Sequence, residues 1–289
     1  MKFSQRIGKT PATKKIQIDE IDADLRNGLW NTLKIYFIDE IEHCNPRYPP
    51  ETNFSILCKV LWIDFFKLPI DTMPRNVEQQ EAYLRNSFFE YNWFEVYDFL
   101  EFITNIYINT KITSREKFKR LCNQILEREN SGYRFIDDKI APITNITEIN
   151  EIEEAIHNSG HFSALNGANI HLKNALDKLS DKKNPDYRNS IKESISAVES
   201  VAKTISDNKN DTLGGALDKI KDITKIHPAL EKGFKQIYGY TSESNGIRHA
   251  LMDEANCDFE DAKFMLVSCS AFINYLIAKA DKAGIKIDK

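Results

Sequence analysis

Apolar residues recur along this chain at helical rather than strand spacing. In the first half a short strand-like stretch, Lys14 to Ile18, precedes Leu25, Leu29, Leu33, Phe37 and Ile41 at steps of four, which mark one face of a helix. The period returns through Phe54, Leu57, Leu61 and Phe65 and through Phe94, Tyr97, Phe102 and Ile106, with Pro69 and Pro74 breaking the chain between them. These runs predict three or four helices, followed by another from Ser114 to Arg128. From Gly132 to Pro142 two short β-prone runs flank Asp137-Asp138, a hairpin pattern that ends the first domain.

From Glu148 onward the pattern is helical with polar punctuation. One helix covers Glu148 to Asn158, and a second carries Ile170, Ala175, Leu176 and Leu179 up to Asn184-Pro185. A third begins at Tyr187 with a narrow stripe of Ile191, Ile195, Val198, Ala202 and Ile205, and stops at the polar run Asp207 to Asp211. Leu213 to Ile223 and His227-Pro228 to Tyr238 supply two more. The last begins near Asp258, a candidate cap, and carries Phe259, Ala262, Leu266, Cys269, Ile273 and Leu276 on one face. Met265, Phe272 and Ile277 lie off that stripe, which predicts more than one buried face and a homodimer through this half. The expected fold is mainly α: an aromatic-rich helical N-terminal domain with a small β-hairpin, then an antiparallel helical bundle.

Composition sharpens the division. Of 31 aromatic residues, 22 lie in residues 1 to 140, so the second half builds its core from Ile, Leu, Val and Ala. Charge does not separate the halves, and a net charge of −4 makes neither a basic nucleic-acid clamp. No apolar run of about 18 residues and no apolar leader stands out, so no membrane partner is expected and the cytoplasm is the expected location. Five cysteines without a C-x-x-C pair indicate neither a disulfide framework nor a thiolate zinc site.

Most candidate chemistry has a plainer explanation. Gly8-Lys9-Thr10 lacks the glycine that a phosphate loop needs five positions earlier, where Phe3 stands. His157 and His161 have i, i+4 metal spacing, but Gly160 breaks the helix between them and no third ligand is placed nearby. His171 reads as a packing or exposed residue, His43-Cys44 as a helix end and Gly214-Gly215 as a turn or helix start. Neither metal nor cofactor is expected.

The segment Tyr238 to Leu251 is different, because it brings Asn245, Arg248 and His249 within five residues. A histidine titrating near neutral pH can move the proton of a ribose 2′-hydroxyl, an arginine can stabilise charge on a phosphorane-like transition state, and an asparagine can position an oxygen. The structural alternative pairs Arg248 with Asp253 or Glu254, makes Asn245 a cap and packs His249 at an interhelical corner. On the helix from Tyr187, Glu199 and Lys203 flank the buried stripe as supporting site residues, although Glu-x-x-x-Lys is also a common solvated ion pair.

Several strings are family-like. Asn184-Pro-Asp-Tyr-Arg-Asn-Ser-Ile-Lys-Glu193, Ala197-Val-Glu-Ser200, Tyr238-Gly-Tyr-Thr241, Gly246-Ile-Arg-His-Ala250 and Asp261-Ala-Lys-Phe-Met-Leu-Val267 resemble bacterial abortive-infection proteins of the AbiJ type, in which a HEPN-like helical domain follows a variable N-terminal domain. Phe3-Ser-Gln-Arg-Ile-Gly8 and Tyr133-Arg-Phe135 resemble one of those N-terminal types. The resemblance implies an AbiJ-type sensor or regulatory domain at 1–143 and a HEPN-like bundle at 148–283. It further implies pairing with a second copy and a metal-independent endoribonuclease with RNA as substrate, an anti-phage toxin triggered by a phage-derived signal at the N-terminal domain. The family's catalytic pattern is Arg, often then Asn, with His four to six residues beyond the Arg. Asn245 and His249 match it, whereas Ser244 stands at the arginine position and Arg248 is displaced. The alternative is a non-catalytic RNA- or nucleotide-binding dimerisation and sensor module.

Overall fold

Asp22 turns the chain from extended to helical by accepting the Leu25 N–H at 2.9 Å, and the first long helix follows (α1, Ala23–Leu33). The computed structural model describes residues 3–7, 9, 14–39, 53–106, 112–181, 185–242 and 257–287. The chain divides into two compact units, Met1–Thr144 and Asn145–Lys289. The fold is mainly α with a small hairpin, as the spacing predicts.

In the first unit, helices α2 (Asn53–Val60), α3 (Val77–Glu90), α4 (Trp93–Asn105) and α5 (Ile112–Arg128) follow α1. Apolar residues at strict four-residue steps drift round an α-helix by about 40° per step. The chain corrects this by winding Lys34–Ile38 as a π-helical turn, in which the Asp39 N–H reaches the Lys34 carbonyl. Phe37 and Ile38 thereby join Leu25, Leu29 and Leu33 in the core. A second π turn, Leu61–Phe65, extends α2 in the same way. Ile41 lies outside the described residues.

Two expectations change here. Lys14 to Ile18 does not form a strand: Gln17 makes a single bridge to Ser131, and Ile16 and Ile18 are exposed. The segment is tied to the end of α5 by polar groups instead. Lys14 Nζ sits 2.5 Å from Asp22 and 2.7 Å from Glu129, and Asn130 donates to the Lys14 carbonyl. Phe94 is also exposed, because the buried face of α4 runs through Val96, Tyr97, Phe99, Leu100 and Ile103.

Strands β1 (Arg134–Ile136) and β2 (Lys139–Ala141) pair around Asp137, which takes a left-handed φ of 51°. Side chains of α5 hold this hairpin. The Asn123 amide exchanges two hydrogen bonds with the Phe135 backbone, as a neighbouring strand would. Lys119, 7% exposed, donates to the Asp137 carbonyl and the Asp138 carboxylate. Burial disfavours its charge, but the Glu116 and Asp138 carboxylates outweigh that and raise its pKa.

The second unit contains α6 (Ile146–Gly160), α7 (Asn166–Ser180), α8 (Tyr187–Ile205), α9 (Leu213–Thr224), α10 (Pro228–Ser242) and α11 (Phe259–Lys282). The predicted stripe of α8 is buried, but so are Ser190, Ser194, Ala197 and Val201, so the helix buries two faces and packs on α7, α9 and α11. On α7, Ile170 is exposed and the core side starts at Ala168 and Leu172. Helix α11 begins at Asp258, whose carboxylate accepts the Asp261 N–H.

Helix α11 is long and apolar enough to cross a membrane by length and composition, although polar residues interrupt it and leave no continuous run of about 18 apolar residues. Its buried side chains pack against α6 and α8. Met265 and Phe272, off the predicted stripe, are covered inside the unit, with Phe234 of α10 stacked on Phe272. Their burial therefore does not call for a second copy.

Helices α5, α8, α9 and α11 end in left-handed residues, Asn130, Asp207, Lys225 and Gly284. In each, the N–H of the residue after the left-handed one reaches back to a carbonyl of the last turn, as in Ser131 to Leu126 and Ile285 to Ala280. A Cβ in this conformation costs about 1 kcal/mol. Gly284→Ala is therefore expected to lower stability by about 1 kcal/mol, and Lys225→Gly to raise it by about 0.5–1 kcal/mol, measured by urea unfolding.

The Lys14 cluster also makes stability depend on pH. Burial raises the Asp22 and Glu129 pKa values, but hydrogen bonds and charge from Lys14 outweigh it and hold both below their ordinary values. That contribution is complete above the ordinary carboxylate pKa of about 4 and is lost as pH falls through the depressed values. Lys14, raised by the same partners against its own desolvation, contributes below its ordinary pKa and loses this as pH climbs past its raised one. Lys14→Met should flatten the acid limb of a plot of urea midpoint against pH.

Candidate functional site

Asn245, Arg248 and His249 lie outside the described residues, in the stretch 243–256 between α10 and α11. The two supporting residues are placed. On the C-terminal half of α8, Lys203 Nζ meets Glu199 Oε1 at 2.8 Å, one helical turn apart and partly exposed. This is the ordinary i, i+4 ion pair of the plainer sequence reading, anchored on a rigid helix by the burial of Val198, Val201, Ala202 and Ile205.

Other sequence candidates resolve locally. The His157 and His161 rings meet edge-on at 4.2 Å where α6 ends at Gly160, and no group of three or more His, Cys, Asp and Glu side chains suited to a metal occurs among the described residues. Gly214 and Gly215 open α9, with the Thr212 hydroxyl accepting the Gly215 N–H. His43 and Cys44 lie outside the described residues, as do Gly8 and Thr10.

Two features were not drawn from the sequence. His171 on α7 is not a lone surface imidazole: its Nδ1 lies 2.6 Å from the Glu193 carboxylate on α8. The signal was absent, because 22 residues separate the pair and only the packing of α7 on α8 joins them. The second is a half-open cavity of about 820 Å³ at the end of α8, lined by Lys203, Thr204 and the turn Asp207–Lys209, by Ser163, Ala164 and Gly167, and by Ile285–Ile287. The sequence shows it only as the polar run that stops the helix.

Thiol chemistry is disfavoured at the described cysteines. Cys58, Cys122 and Cys269 are buried, and burial pushes the Cys269 thiol up to about 12. Cys257, beside the α11 cap, is half-buried and raised chiefly by desolvation. Among these four, a disulfide-exchange reagent at neutral pH should label Cys257 first and the other three only on unfolding, as read by peptide mass mapping.

Residues 1–158 match the family described as AbiJ N-terminal domain 4, a span that covers the first unit and continues into α6. No curated protein and no solved structure matches the chain.

Proposed function

From the premise that this chain belongs to the AbiJ N-terminal domain 4 family, we propose that it is the effector of an abortive-infection system and that its second half is a HEPN-like, metal-independent endoribonuclease. The observation that carries the nuclease reading is the spacing Asn245-x-x-x-His249 with Arg248 beside it, in the segment that joins two helices of a helical unit. In the proposed reaction His249 takes the proton of a ribose 2′-hydroxyl, O2′ forms a bond to the adjacent phosphorus, and the P–O5′ bond breaks. The leaving O5′ takes a proton from the protonated His249 of a second copy, and Arg248 stabilises the charge on phosphorus. On this reading the second half, residues 148–283, pairs two copies. The first, residues 1–143, responds to a phage-derived trigger in the cytoplasm.

The test is cleavage of total RNA in the presence of EDTA. The wild type should cleave, leaving 2′,3′-cyclic phosphate ends and DNA intact, because DNA lacks the attacking hydroxyl. His249→Ala, shown to be folded by circular dichroism, should lose about 10²- to 10⁴-fold in rate. Equal cleavage by both proteins removes His249 from the mechanism. No cleavage by either favours the non-catalytic RNA- or nucleotide-binding module, a reading that Ser244 at the expected arginine position supports. Light scattering of the full chain should give twice the mass of 33.4 kDa.

A further inference from the structure

The cavity at the end of α8 is lined, among the described residues, by side chains of the second unit, Lys203 included. Its walls are fixed by two helix endings. Asp207 turns left-handed so that the Asn208 N–H closes back on the Lys203 carbonyl, and Gly284 at φ 72° turns the chain after α11 so that Ile285–Ile287 runs along the cavity. The third wall is the start of α7. There Gly167 lies so near Ser200 that a Cβ would come within 3.1 Å of its hydroxyl.

The lining is chemically mixed. Lys203, Lys209 and Lys286 supply positive charge, against Asp207 within the cavity and Glu199 beside Lys203. Lys209 and Lys286 form no ion pair with another described residue, and the Ser163 and Ser200 hydroxyls hydrogen-bond to none. The C-terminal end of α8 and the N-terminal end of α7 meet here with opposite partial charges that offset each other, so the lysines set the sign. Ile205, Ile285 and Ile287 add apolar surface to the same lining. The volume, about 820 Å³, is far larger than one phosphate needs and falls within the range of small-molecule sites.

We infer that this cavity binds a small organic phosphate, with the phosphate at Lys209 and Lys286 and an apolar body against Ile285 and Ile287. A phosphate monoester near its dianionic form suits two ammonium groups, and serine hydroxyls can add donors to its oxygens. The isoleucines favour a ligand that carries a planar or apolar group beyond its phosphate over one that is a sugar alone.

Isothermal titration of the full chain with AMP, glucose 6-phosphate, inorganic phosphate and adenosine tests this. AMP should bind more tightly than each of the other three, and added salt should weaken it. The double variant Lys209→Glu/Lys286→Glu should lose about tenfold or more in AMP affinity with its melting temperature kept, and Ile285→Ser should reduce the preference for AMP over glucose 6-phosphate. His249→Ala should bind AMP as the wild type does, which separates this site from the nuclease reading. Failure of AMP to bind at about 1 mM, equal affinity for AMP and inorganic phosphate, or unchanged binding by the double lysine variant would overturn the inference. So would a short oligonucleotide that binds far more tightly than AMP, because the cavity would then be part of a nucleic-acid track.

Discussion

Helix α8 can serve as the centre of the second unit only because two of its core positions are serines. A helix packed by neighbours on several sides must bury more than a single apolar stripe, and large side chains on every side would hold those neighbours apart. Ser190 and Ser194 are fully buried, and Ala197 and Ala202 continue the small surface. The cost of burying a hydroxyl is met at once, since Ser190 donates to the Ala175 carbonyl of α7 at 2.8 Å and Ser194 to the Ser190 carbonyl one turn back. Leaving either unpaired would cost about 1–3 kcal/mol, comparable to the gain from burying one isoleucine of the stripe. The fixed position of α8 in turn holds Glu199 and Lys203 and delivers the Asp207 turn that walls the cavity.

The first unit is held in another way. Its core is aromatic, with Trp30 against Phe88, Phe65 against Phe99 and Phe102, and Trp62 against Tyr83. Rings of this size leave few ways to fill the space, and the two π turns adjust helices to them rather than the reverse. Around that core, polar side chains substitute for missing secondary structure. Asn123 completes the hydrogen bonding of Phe135, Lys119 ties down the hairpin turn, and Lys14 fastens the N-terminal segment to the end of α5.

On the proposed reading, one half responds and the other acts. The family match rests on the first unit and the first helix of the second, while the proposed chemistry lies wholly within the second. A binding cavity in the second unit would give that half a small-molecule input of its own, independent of any signal received by the first.

How much was legible in the sequence follows from the range of the interactions involved. Most helices of both units, the cap at Asp258 and the hairpin around Asp137-Asp138 depend on neighbours within a few positions, so spacing and turn residues specified them; Val77–Glu90 was not among the runs that spacing marked. The ion pair of Glu199 with Lys203 was legible for the same reason. The π turns were not, because a constant four-residue step reads as an ordinary helix until a core requires the later residues to stay on one side. The failed strand at Lys14 to Ile18 had the right composition but no edge to pair with, and only tertiary structure supplies or withholds an edge. The pairing of His171 with Glu193 and the cavity joining Ser163, Lys209 and Ile287 were decided by packing alone, since their residues become neighbours only after α7, α8 and α11 have found one another.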